Sequence, residues 1–138
     1  MKLSAFLGAT AVLIQSPIAP AHAHHAFAAE FDIDKPIKLV GTITRVEWQN
    51  PHTWFYIDVA GDGASLASWG MELASPNLLM RNGWTRDSMK VGDVVTVEGY
   101  QAKNGQNIGN ARNITINATG RSLFTGTSAP RNSAGSAP

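Results

Sequence analysis

The chain has 138 residues and no cysteine, with 15% charged residues and a formal net charge of +1. That length suits one domain, and the absence of cysteine excludes both a disulfide scaffold and a lipid anchor of the lipoprotein type. Near-neutral charge, with basic and acidic side chains intermixed, supplies no field for nucleic acid or an anionic membrane.

Residues 1–23 have the three parts of a cleavable export signal. Lys2 gives a positive start, residues 3–14 are apolar, and residues 15–23 are polar and end Ala21-His22-Ala23. The apolar run is broken at Gln15-Ser16-Pro17, short of the roughly 20 residues a membrane span requires, so no membrane anchor is expected after cleavage. Cutting after Ala23 makes His24 the first residue. A second register, with Ala19 and Ala21 as the small residues, makes it His22.

Residues 24–36 read as an N-terminal histidine arm. Residues 37–48 are rich in β-branched residues, and Asn50-Pro51 punctuates them before a second β run at residues 53–59, which predicts a hairpin. Gly61-Asp62-Gly63 marks a turn into a third strand over residues 66–73. Ser75 and Pro76 suit a helix cap and first helical position, with Leu78, Leu79 and Met80 following and Gly83 ending about two turns. Residues 94–99 and 111–116 are two more strands, separated by a polar loop at Asn104-Gly105. Residues 125–138, rich in Ser, Ala, Pro, Gly and Thr, form a tail with too little apolar surface to fold.

Three strands, a short helix and two strands is the element order of an all-β, five-stranded, partly open oligonucleotide/oligosaccharide-binding (OB) barrel, with the domain at residues 37–124. Five strands fall short of the seven or so that an immunoglobulin-like sandwich requires.

The start His24-His25-Ala26-Phe27-Ala28-Ala29-Glu30-Phe31-Asp32 is followed by residues 41–52, ending Gln49-Asn50-Pro51-His52. Further on come Gly83-Trp84-Thr85-Arg86 and the segment Gly92–Tyr100. Together these resemble an uncharacterised family of small exported bacterial proteins over about residues 22–124. The resemblance implies a single exported domain and assigns no catalytic residue. With the leader, it points to a periplasmic or secreted protein.

All four histidines, His22, His24, His25 and His52, lie at the start of the exported chain or in the first hairpin turn. A terminal histidine offers an amine and an imidazole to one metal ion. His25 or His52 would complete a nitrogen set suited to Cu(II), a geometry similar to a histidine brace. If His22 is first, His24 becomes the third residue, and amine, amides and imidazole wrap Cu(II) or Ni(II) in a plane. The competing reading keeps these histidines as polar residues beside a cleavage site and His52 as an exposed turn residue. Zinc suits the set less well, because three imidazoles would have to converge tetrahedrally.

In the second strand Thr53, Phe55, Ile57 and Val59 alternate with His52, Trp54, Tyr56 and Asp58, so the first set belongs to the core. Trp54 and Tyr56, with Trp48, form an aromatic face suited to a sugar, peptide or partner protein. Alternatively, Phe27 and Phe31 fold the arm over that face, carrying His24 and His25 towards His52.

Hydrolytic chemistry finds no support. Ser65, Ser68 and Ser75 are the available nucleophiles, yet His52 and Asp58 lie roughly 20 Å apart along one strand. Glu47, Asp58, Glu72 and Glu98 read as paired surface charges, and no phosphate-loop or dinucleotide fingerprint is present. The sequence thus predicts a non-enzymatic binding or accessory protein, with Cu(II) at His24, His25 and His52, or a metal-independent interaction module. A redox accessory to an exported oxidoreductase is a third reading.

Overall fold

The computed structural model describes residues 27–125. Six strands, β1 (Phe31–Glu47), β2 (Trp54–Ala60), β3 (Leu66–Glu72), β4 (Val94–Ala102), β5 (Ile108–Ile116) and β6 (Arg121–Phe124), make up the sheet, and a helix, α1 (Pro76–Arg81), lies between β3 and β4 in the chain. The sheet runs β3-β2-β1-β4-β5-β6, and a parallel pairing of β3 with β5 returns it on itself. The expected all-β fold with its five-strand circuit is present.

Ring closure depends on β1, whose 17 residues pair with β4 through their first part and with β2 through their second. Gly41 belongs to both ladders, opposite Val59 and Val95, and the register slips between Ile43 and Arg45. Such a bulge sharpens the local twist and helps a strand to bend around a closed core. The strand starts at Phe31, ahead of the 37–48 run in which β-branched residues cluster, and this first part meets β4 at Phe31 opposite Ala102 and at Pro36 opposite Tyr100, with a slip in register between them.

Alternation along the strands fills the interior. Phe55 and Ile57 of β2, Met71 of β3, Val95 and Val97 of β4 and Ile114 of β5 are all fully buried and join Ile43 and Leu73 in one cluster. Each such side chain contributes about 1.5–3 kcal/mol when removed from water. Helix α1 adds Leu79 to that cluster. It forms where the sequence predicts: Ser75 Oγ accepts from the Leu78 N–H at 3.4 Å, Pro76 opens the helix, and Gly83 follows the Asn82 cap with φ of +87°.

Three features depart from the sequence reading. β6 is an additional strand, paired antiparallel to β5. Thr125, assigned above to an unfolded tail, is fully buried and donates its hydroxyl to the Ala111 carbonyl at 2.6 Å. Residues 27–30 form a helical turn, and Phe27 and Phe31 stack at 5.6 Å in a separate cluster with Ala102, packed by Tyr100 and Ile108. The start of the described chain is therefore seated on the β4–β5 side, and not squarely over Trp54 and Tyr56. Lys103 fixes it there: its N–H donates to the Glu30 carbonyl at 2.9 Å and its ammonium to the Ala28 carbonyl at 2.5 Å.

Candidate functional site

The site forms where β2, β3 and β5 meet on the outer face of the ring. Trp54 stands opposite Glu72, and Glu72 opposite Asn110, so these three side chains share that face while Phe55 and Met71 point into the core. The chain ahead of β2 is held in the same plane, because the Thr53 N–H donates to the Ala74 carbonyl at 3.1 Å and the Thr53 carbonyl accepts from Leu73 at 2.8 Å. His52 is thus the diagonal neighbour of Glu72, and its Nδ1 donates to Glu72 Oε1.

The two partners have unlike surroundings. The Glu72 side chain is 5% exposed, whereas the His52 imidazole is 46% exposed. Burial raises the Glu72 carboxyl above its ordinary value, more than His52 and hydrogen bonding from the Asn110 side chain lower it, and the Glu30 carboxylate adds a further upward push. The reading of Glu72 as a surface charge is therefore overturned. Its place at the end of β3, between two neighbouring strands and near the 27–30 turn, removes it from water.

Asn110 is held by an unusually close backbone approach. A Cβ on Gly99 would lie 2.1 Å from the Asn110 carbonyl oxygen, so only glycine allows β4 to pass there, next to a register slip between Glu98 and Gly99. The Asn110 Oδ1 and Thr53 Oγ1 atoms are buried and have no hydrogen-bond partner among the described residues.

With Nδ1 committed to Glu72, the free nitrogen of His52 is Nε2, which has no protein hydrogen bond among the described residues. A carboxylate on one imidazole nitrogen fixes the ring and directs the other nitrogen outward as a ligand. His52 is the histidine whose surroundings are defined. His22, His24 and His25 lie outside the described residues. Among the described residues no group of three or more His, Cys, Asp or Glu side chains gathers around a common point.

Trp54 separates two clefts. One, of about 490 Å³, is lined by Gln49, Trp54, Tyr56, Ser68, Gly70 and Ile108. The other, of about 360 Å³, lies between Trp54 and the 27–30 turn and includes Glu30, Phe31 and Lys103. Trp48, grouped with Trp54 and Tyr56 in the sequence, lines neither. It packs against the main core, with the Arg86 guanidinium 5.8 Å from its ring. Tyr56 is half-buried, under the Arg45 guanidinium at 4.0 Å, and donates its hydroxyl to Glu47 at 3.3 Å.

The model of a family of unknown function, DUF6152, matches residues 12–112, most of the chain. The chain belongs to that family. No curated protein matches it. The DUF6152 match covers β1 to β4, α1 and the part of β5 that carries Asn110, and thus every residue of the His52–Glu72–Asn110 set. Among the described residues of this DUF6152 member, no helix is long and apolar enough to cross a membrane.

Proposed function

We propose that this is an exported, non-enzymatic binding or accessory protein, periplasmic or secreted, that takes up Cu(II) through His52 Nε2 together with His24 and His25. The observation that carries this reading is the His52–Glu72 pair: a half-exposed imidazole oriented through Nδ1 by a buried carboxylate, with its second nitrogen unclaimed among the described residues. A solvated turn histidine would need no such support. Glu30 is near enough for its charge to act on Glu72, and His25 precedes it by five residues, about 17 Å of extended chain at most. The arm therefore has the reach to bring a terminal amine and imidazole towards His52. Two carboxylates nearby, Glu30 and Glu72, favour a divalent cation at that place. Nitrogen donors without sulfur suit Cu(II).

The test is Cu(II) titration of protein recovered through its export route, with electron paramagnetic resonance of the adduct. One equivalent of copper in a nitrogen-rich square-planar signal, altered by His52→Ala and lost on blocking the terminal amine, is the expected result. Copper binding indifferent to His52→Ala would return the histidines to a processing role.

A further inference from the structure

The cleft of about 490 Å³ beside Trp54 has a chemistry of its own. All six of its lining residues, Gln49, Trp54, Tyr56, Ser68, Gly70 and Ile108, are uncharged. Of the charges beside it, Arg45 covers the Tyr56 ring and lies 3.3 Å from Glu47 through its Nε, and Asp58, opposite Ser68 in the β2–β3 ladder, is an acidic neighbour outside the lining. Gln49 and Ser68 are exposed, and their side chains have no hydrogen bond among the described residues. The cleft thus combines apolar ring surface with neutral hydrogen-bonding groups that are free to take a ligand.

Gly70 gives the cleft its depth. Its φ lies outside the left-handed region, so the backbone conformation does not demand glycine. A Cβ at this position would sit 3.4 Å from Tyr56 Cε1 and 3.7 Å from Trp54 Cζ3, filling the space between the two rings. The missing side chain leaves a slot with aromatic walls.

We propose that this cleft binds a neutral oligosaccharide. A pyranose ring presents an apolar C–H face to an aromatic wall and hydroxyl groups at its rim to amide and hydroxyl partners, which is the combination lined up here. A polyanion, whether nucleic acid or acidic glycan, would find no cation among the described lining residues to neutralise it. A peptide adding itself as a strand would find only the four-residue edge of β3 at Leu66–Trp69, because β2 is paired on both sides and β3 is paired to β2 and, at Gly70–Glu72, to β5. This proposal does not depend on copper: neither His52 nor Glu72 lines the cleft.

The experiment is calorimetric titration of the full exported chain with cellohexaose, maltohexaose and N-acetylchitohexaose, with tryptophan fluorescence as a second readout. At least one hexasaccharide should bind, with a Kd of about 1 mM or tighter. Gly70→Ala should weaken that binding about tenfold or more while leaving the thermal midpoint near the parent value. Trp54→Ala should remove it, and His52→Ala should leave it unchanged. Binding by none of the three sugars, or binding undiminished in Gly70→Ala and Trp54→Ala, would overturn the proposal.

Discussion

His52 donates through Nδ1 to Glu72, a carboxylate almost wholly withdrawn from water, so that a mobile imidazole is converted into an oriented one. If that orientation serves metal binding, the carboxylate is part of the affinity although it touches no metal. Glu72→Gln should weaken Cu(II) binding about 10- to 100-fold, the usual consequence of losing an outer partner of a histidine ligand. His52→Ala should weaken it further. Competition titration against a chelator of known affinity measures both. An unaltered affinity in Glu72→Gln would mean that the pair serves only the fold.

The same carboxylate makes stability depend on pH. Burial raises the folded-state pKa of Glu72 above 4.5, so between these two values the folded protein holds the proton more tightly than the unfolded chain does. Its contribution is therefore fully present below pH 4.5 and is lost as pH rises through the folded value. Glu72→Gln, which cannot ionise, should gain stability relative to the parent across that window and keep a constant offset above it. Urea unfolding of the metal-free proteins at several pH values from 4 to 8 checks the sign. Glu98 acts oppositely, since hydrogen bonds from Lys38 and Asn113 lower its pKa. Its contribution is lost as pH falls, and its exposure keeps it small.

The legible parts of the sequence were those with a local cause. Ser75-Pro76 and Gly83 announce α1, and the alternation from Thr53 to Val59 separates the buried Phe55 and Ile57 from the outward Trp54 and Tyr56. Glu72 was not legible, because a single acidic residue after Met71 carries no sign of being buried. Its partner follows from the register that sets Trp54 opposite Glu72 and Glu72 opposite Asn110, a relation between segments distant in the chain. β6 was not legible for a similar reason: Arg121–Phe124 is only four residues long, too short for an alternation to show, and pairing with β5 makes it a strand. Trp48 resembled its aromatic neighbours in type, yet packing beside Arg86 sends it elsewhere.

Gly99 tests the route by which Asn110 is presented to Glu72. The Cβ of an alanine there would press on the Asn110 carbonyl at 2.1 Å, a contact with backbone that no side-chain rotation relieves. Gly99→Ala should cost about 1–3 kcal/mol, and more if β4 and β5 must separate. It should also disturb Glu72, measured as a change in Cu(II) affinity beyond that of a distant variant of equal stability. Gly63→Ala is not a suitable comparison, because its φ of +71° brings a strain of its own. Leu123→Ala, in β6, supplies the control.

Thr125 decides where the folded domain ends. Its side chain is fully buried, and its hydroxyl reaches the Ala111 carbonyl at 2.6 Å while its N–H reaches the Arg112 carbonyl at 3.2 Å, so β6 is tied down one residue past its last ladder pair. Thr125→Val keeps the shape and removes the hydroxyl donor, and it should cost about 1 kcal/mol or somewhat more, as expected for a buried hydrogen bond. A chain ending at Gly120 loses Leu123 from the core cluster as well as the Phe124 carbonyl that accepts from Trp84 Nε1 at 2.9 Å. The truncation should therefore be destabilised by several times the effect of Thr125→Val, and Trp84 fluorescence should shift to the red as its ring gains water. Equal stability of the truncated and full chains in urea would show that β6 is an ornament on the ring and that the core closes without it.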